Sequence, residues 1–123
     1  MAEELDPGTR HVLMALEECY QLLIRVCASL PILPITLPEA TGPGSWQART
    51  DAVAHASEIC YEIPASSAVC DNLKCAFLYW LGAADMLILQ TGNPKRYRVE
   101  AIRAILLTAE DYARDVDHLL NDK

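Results

Sequence analysis

Asp85 stands inside an apolar run, with Leu81, Gly82, Ala83 and Ala84 before it and Met86, Leu87 and Ile88 after it. A carboxylate among such neighbours is costly unless something answers its charge. It needs a partner, a proton or a polar cavity. A structural ion pair or a helix–helix hydrogen bond would meet that need, and so would a general acid or base tuned by its surroundings. Arg25 has a similar setting, Leu22-Leu23-Ile24-Arg25-Val26-Cys27. Two readings apply: a salt bridge to Glu18, Asp85 or another carboxylate, or a guanidinium presented to a substrate carboxylate. His11 shares a helical stripe with Glu18 and Arg25, and histidine is the usual proton carrier near neutral pH. Asp85, His11 and Arg25 are the candidate catalytic set, with Glu18 beside them for substrate binding.

Other polar groups pattern differently. Asp51, His55, Glu58 and Glu62 are spaced four, three and four, which aligns them on one helical face as a metal site would need. The second Glu-x-x-His of a di-metal bundle is missing, so the reading is a solvated acidic face, and no metal or other cofactor is expected. Lys95, Arg96 and Arg98 crowd one end of the last helical segment, and Glu110, Asp111, Asp115 and Asp117 the other. Both ends oppose the helix dipole. Antiparallel pairing with a second copy would bring basic ends to acidic ones, and anion binding at Lys95, Arg96 and Arg98 is the other possibility. Trp46 could wall a pocket or pack in the core. Cys19, Cys27 and Cys60 fall on apolar faces, and Cys70 and Cys75 are five apart, too far around a helix to chelate together.

Four helices must position these groups. The first opens at Asp6-Pro7, a capping acid followed by a first-turn proline, and runs to about Leu30 with Val12, Leu16, Cys19, Leu23, Val26 and Leu30 on one face. Four prolines between Pro31 and Gly44, interleaved with Ile32, Leu33, Ile35 and Leu37, predict an extended strap over an apolar surface. The second helix runs from Ser45 to Pro64, burying Trp46, Val53, Ala56, Ile59 or Cys60, and Ile63. The third is capped by Ser66 or Ser67, is apolar nearly all round between Ala76 and Leu89, and closes at Gly92. The fourth follows Asn93-Pro94 and repeats Val99, Ile102, Leu106, Ala109, Ala113, Val116 and Leu120. The expected fold is all-α, one four-helix domain over residues 1–123, about 30–40 Å long. The third helix is more apolar than three neighbours would use, which predicts a homodimer.

Composition sets the outer bounds. The chain has 123 residues, 52% hydrophobic and 22% charged, with 10 Lys+Arg against 17 Asp+Glu and a net charge of −7. One core fits that length. The acidity argues against a nucleic-acid binder that neutralises phosphates and against docking on anionic lipid. Met1 to Asp6 carries three acids and no basic region, unlike a signal peptide. The apolar stretch Ala76–Leu89 is shorter than the roughly 20 residues of a membrane span. Five cysteines, an odd number without a CxxC pair, predict reduced thiols and a cytoplasmic setting.

Arg49-Thr50-Asp51-Ala52-Val53-Ala54-His55 resembles the Arg-x4-6-His signature of the HEPN superfamily of small helical dimers, many of them ribonucleases. That resemblance implies that Arg49 and His55 face an RNA phosphate across a dimer cleft, although Glu58 and Glu62 follow where RNA would lie. In size, helical content and expected dimerisation, the chain is similar to the lysinoalanine synthases of cinnamycin- and duramycin-type lanthipeptide clusters. This resemblance implies a peptide-tailoring enzyme that joins a substrate lysine to dehydroalanine by acid–base chemistry, with no residue carried over by pattern. The expected function is therefore peptide tailoring in an interhelical or dimer-interface pocket. An acidic, non-enzymatic interaction protein of the immunity or inhibitor type and a HEPN-like ribonuclease are the alternatives.

Overall fold

The computed structural model describes residues 6–30, 36–39 and 45–121. Every regular element among them is helical: α1 (Pro7–Ala28), α2 (Ser45–Ile59), a single 3-10 turn at Cys60–Glu62, α3 (Ser67–Gly92) and α4 (Arg96–Asn121). The starts follow local chemistry. The Asp6 carboxylate accepts the Thr9 N–H, with Pro7 in the first turn where no N–H is needed. Ser66 caps α3 by accepting the Val69 N–H at 3.2 Å. α2 is shorter than its apolar pattern predicts. Pro64 lacks an N–H and disfavours helical backbone in the residue before it; Ile63 is extended (φ −74°, ψ 133°), and the last turn tightens to 3-10 geometry.

α3 is the hub. It packs against α4, α1, α2 and the 3-10 turn, and α1 also packs on α4. The largest fully buried side chains are Trp80 and Phe77 of α3 and Tyr20 and Leu16 of α1. The expected faces of α1 and α4 are buried from Val12 to Leu30 and from Ile102 to Val116. α2 contributes Val53 and Ala56, with Trp46 half-buried. Its backbone comes close to α3 and the 3-10 turn but not to α1 or α4.

Two expectations change within the chain. A helix apolar nearly all round should be buried on several sides, yet Leu78, Ile88 and Leu89 are exposed, and so is Asp85. A Cβ placed on Gly82 would meet no atom within 4 Å, so no helix of the same chain makes the close approach its small size permits. Three helices are too few to surround a fourth, and they cover one side of it. Taken whole, Ser67–Gly92 also has the length and mean hydropathy (1.3 over 18 residues) of a membrane span, which the shorter Ala76–Leu89 window does not suggest; 39% of that 18-residue window is buried inside the fold. Of the strap, residues 31–35 and 40–44 lie outside the described residues. Within 36–39, Leu37 is buried and the Pro38 carbonyl accepts the Tyr20 hydroxyl.

Gln90 ties three helix ends together. Its Nε2 donates to Thr9 Oγ1 at 3.0 Å, and its Oε1 accepts the Lys95 N–H at 3.0 Å, joining the start of α1, the end of α3 and the entry to α4. Both Gln90 and Thr9 are buried, so each needs the other. Gln90→Leu should cost about 1–3 kcal/mol in urea denaturation, because it strands the Thr9 hydroxyl. Adding Thr9→Val should recover part of that loss.

Candidate functional site

The distance of α2 from α1 leaves a groove. Leu13 and Leu16 of α1 form one wall, Trp46, Gln47 and Thr50 of α2 another, and Ala84, Leu87, Ile88 and Thr91 of α3 line the rest, enclosing about 320 Å³. A second recess of about 400 Å³ adjoins it at Leu13 and Trp46 and is edged by Met14, Glu17 and Glu18. Together they make an apolar channel with carboxylates at one end.

Arg49 bridges the groove. It is buried, with Nη1 hydrogen-bonded to Glu17 Oε1 across the space between the helices. Its guanidinium carbon lies 4.6 Å from the Tyr20 ring centroid and 4.9 Å from that of Trp46, a cation between two π-faces. Trp46 in turn stacks on Trp80 at 6.2 Å, and Tyr20 tilts against Trp80 at 5.2 Å. Trp80 Nε1 donates to the Leu16 carbonyl at 3.1 Å, which holds this aromatic stack to α1. Glu17 Oε2 accepts from Gln21 at 2.8 Å. Burial pushes the Glu17 carboxyl up, but the hydrogen bonds from Arg49 and Gln21 and the Arg49 charge outweigh it, so the group sits below its ordinary value. Burial, the dominant effect, pushes the Tyr20 phenol up to about 12, so it stays a hydrogen-bond donor.

Of the residues expected to do chemistry, Trp46 and Glu18 reach this channel. His11 and Arg25 are exposed on α1 and Asp85 on α3, and none of the three lines either recess. The apolar neighbours of Arg25 and Asp85 in sequence belong to other sides of their helices, so proximity along the chain did not mean burial. Lys95 and Arg96 are exposed at the start of α4, while Arg98 donates to the Asn93 carbonyl at 2.6 Å and lies over the Tyr97 ring. Arg49 and His55, six positions apart, point about 120° apart around α2. Arg49 is buried against Glu17 and His55 is exposed, so the structure does not bring them together. Asp51, Glu58 and Glu62 are exposed with His55, and no cluster of three metal-ligating side chains occurs among the described residues. The five cysteines are free; burial pushes the Cys19 and Cys27 thiols up to about 12, and only Cys75 is half-exposed.

Sequence reasoning missed the bridge itself. Arg49 lies three residues after Trp46 and four before Val53, on the stripe that α2 buries, and that spacing was the available signal. Comparison with models of known protein families, with curated proteins and with solved structures finds no match.

A carboxylate whose folded value is lowered stabilises the fold at pH values above its unfolded value and loses that contribution as pH falls through the folded one. For Glu17 the loss begins below the ordinary value of 4.5. Wild type should therefore exceed Glu17→Gln in urea midpoint at pH 7, and the difference should shrink as the pH falls toward 3. A disulfide-exchange reagent should label one thiol of the native protein quickly, at Cys75, and the others only as fast as the fold opens.

Proposed function

We propose that the protein binds a peptide, seating one large apolar side chain in the channel between α1, α2 and α3 and a neighbouring cationic group at Glu18. The observation that carries this reading is the channel itself, apolar along its length, walled by an aromatic ring and carboxylate-edged at one end. Such a site combines hydrophobic anchoring with a charge that orients the ligand. Glu17 is engaged by Arg49, whereas Glu18 is exposed and free to meet an incoming ammonium. His11, Arg25 and Asp85 stand outside the channel, and recognition rests on the hydroxyl, amide and carboxylate groups that its lining offers a ligand. The net charge of −7 and the acidic outer face of α2 favour a basic partner, in line with an interaction protein of the inhibitor or immunity type. Five free cysteines fit a reducing compartment such as the cytosol.

Trp46 provides the readout. Short amidated peptides that pair leucine or phenylalanine with a nearby lysine should change tryptophan fluorescence saturably. Trp46→Ala should weaken binding roughly tenfold or more, as loss of an aromatic anchor does. Glu18→Gln should weaken lysine peptides about two- to fivefold and leave their norleucine counterparts unchanged. Absence of saturable binding up to millimolar peptide would remove the proposal.

A further inference from the structure

We propose that the outward face of α3 is a two-fold seam on which a second copy of this chain docks antiparallel. Asp71, Lys74, Leu78, Leu81, Asp85 and Ile88 alternate three and four positions apart, so they form one stripe about 25 Å long down the helix. The stripe points away from the core. Leu78 is 48% and Ile88 68% exposed, Asp85 is exposed, and Leu81 is half-buried beside them. Gly82 flanks the stripe over open space, which allows a second helix to come close.

The order of residues selects the occupant. Read in the opposite direction, the central four residues, Lys74, Leu78, Leu81 and Asp85, are complementary to themselves, while Asp71 and Ile88 face each other at the ends of the seam. In the register that sets Leu78 against Leu81 of the second copy, Lys74 falls against Asp85 of the second copy, and the two-fold axis repeats both contacts. A parallel copy would instead stack Asp85 on Asp85 and Lys74 on Lys74, which like charges disfavour. Asp85 is exposed and has no hydrogen bond or ion pair among the described residues. Lys74 spends one donor on the Ser57 carbonyl at 3.0 Å and has two more to offer. The seam thus supplies the charge that Asp85 lacks within its own chain. Ile88 also lines the peptide channel, so the seam ends at the mouth of that site. The proposal does not rest on peptide binding, since Lys74, Leu78 and Asp85 line neither recess.

Charge exchange tests it. Sedimentation velocity from micromolar to several hundred micromolar should show a reversible dimer. Asp85→Lys should weaken it roughly tenfold, because two pairs turn repulsive at once, and Leu78→Lys at least as much. The double variant Lys74→Asp with Asp85→Lys should return the dissociation constant to within about threefold of wild type. Circular dichroism on each variant establishes that it is folded, and Asp85→Lys alone suffices if the change at Lys74, which also holds Ser57, is not tolerated. A wild-type monomer throughout the range would overturn the proposal. So would a dimer indifferent to Asp85→Lys and Leu78→Lys but broken by Arg96→Glu, which would place the interface on α4.

Discussion

The Arg49 guanidinium, held between two aromatic faces and one carboxylate, is the contact on which the arrangement of α2 depends. The backbones of α1 and α2 do not come close to each other, so long side chains must connect them. Arg49 reaches Glu17 and Tyr20 on α1 while packing on Trp46 of its own helix. Lysine could not replace it, because a point charge on a flexible stem cannot lie flat between two rings and also hydrogen-bond a carboxylate sideways. The bridge has an energetic weakness as well as a use. Arg49 is only 5% exposed in its side chain and Glu17 39%, so one partner is desolvated and the other still hydrated. The cation therefore bears most of the desolvation penalty, and the two rings offset part of it.

The same bridge makes the channel. Had α2 carried a leucine or alanine at position 49, the helix could settle onto α1 and close the space by direct packing. A side chain as long as arginine, fixed at both ends, acts as a spacer. Leu13, Leu16 and Leu87 line the recess between the helices that Arg49 connects. Trp46 is held at the channel wall by its stack on Trp80, which would lower the entropy lost on binding the proposed peptide.

The architecture was legible in sequence because it rests on local rules: a capping acid before a proline, a serine cap, a proline that ends α2 and two strong three-four repeats. α1 and α4 bury the faces their spacing predicted. The site was less legible. Asp85 and Arg25 drew attention because their sequence neighbours are apolar, but a helix distributes neighbours around its axis, and both side chains emerge on outer faces. In sequence, Arg49 reads as half of a spacing motif with His55. Its place on the Trp46–Val53–Ala56 stripe was the better clue. Gln90 and Tyr20 had no sequence signal at all, since their partners Thr9, Lys95 and Pro38 are brought to them by tertiary packing.

What remains after packing is an asymmetry in α3. One side carries Trp80, Phe77 and Leu73 into the core, and the other leaves Leu78, Ile88 and Leu89 in water. A chain of this size exposes single aliphatics as a matter of course, but Leu78, Leu81 and Ile88 fall on one stripe of its central helix. The stripe is also interrupted by charges at fixed intervals, Lys74 before the leucines and Asp85 after them. Random polar substitution of a solvent face would have no reason to set opposite charges symmetrically about a pair of leucines. That symmetry is what a two-fold axis requires of a surface that must match itself. A second helix lying across the stripe would desolvate Asp85 at a cost, and the Lys74 ammonium of that copy is what would offset it.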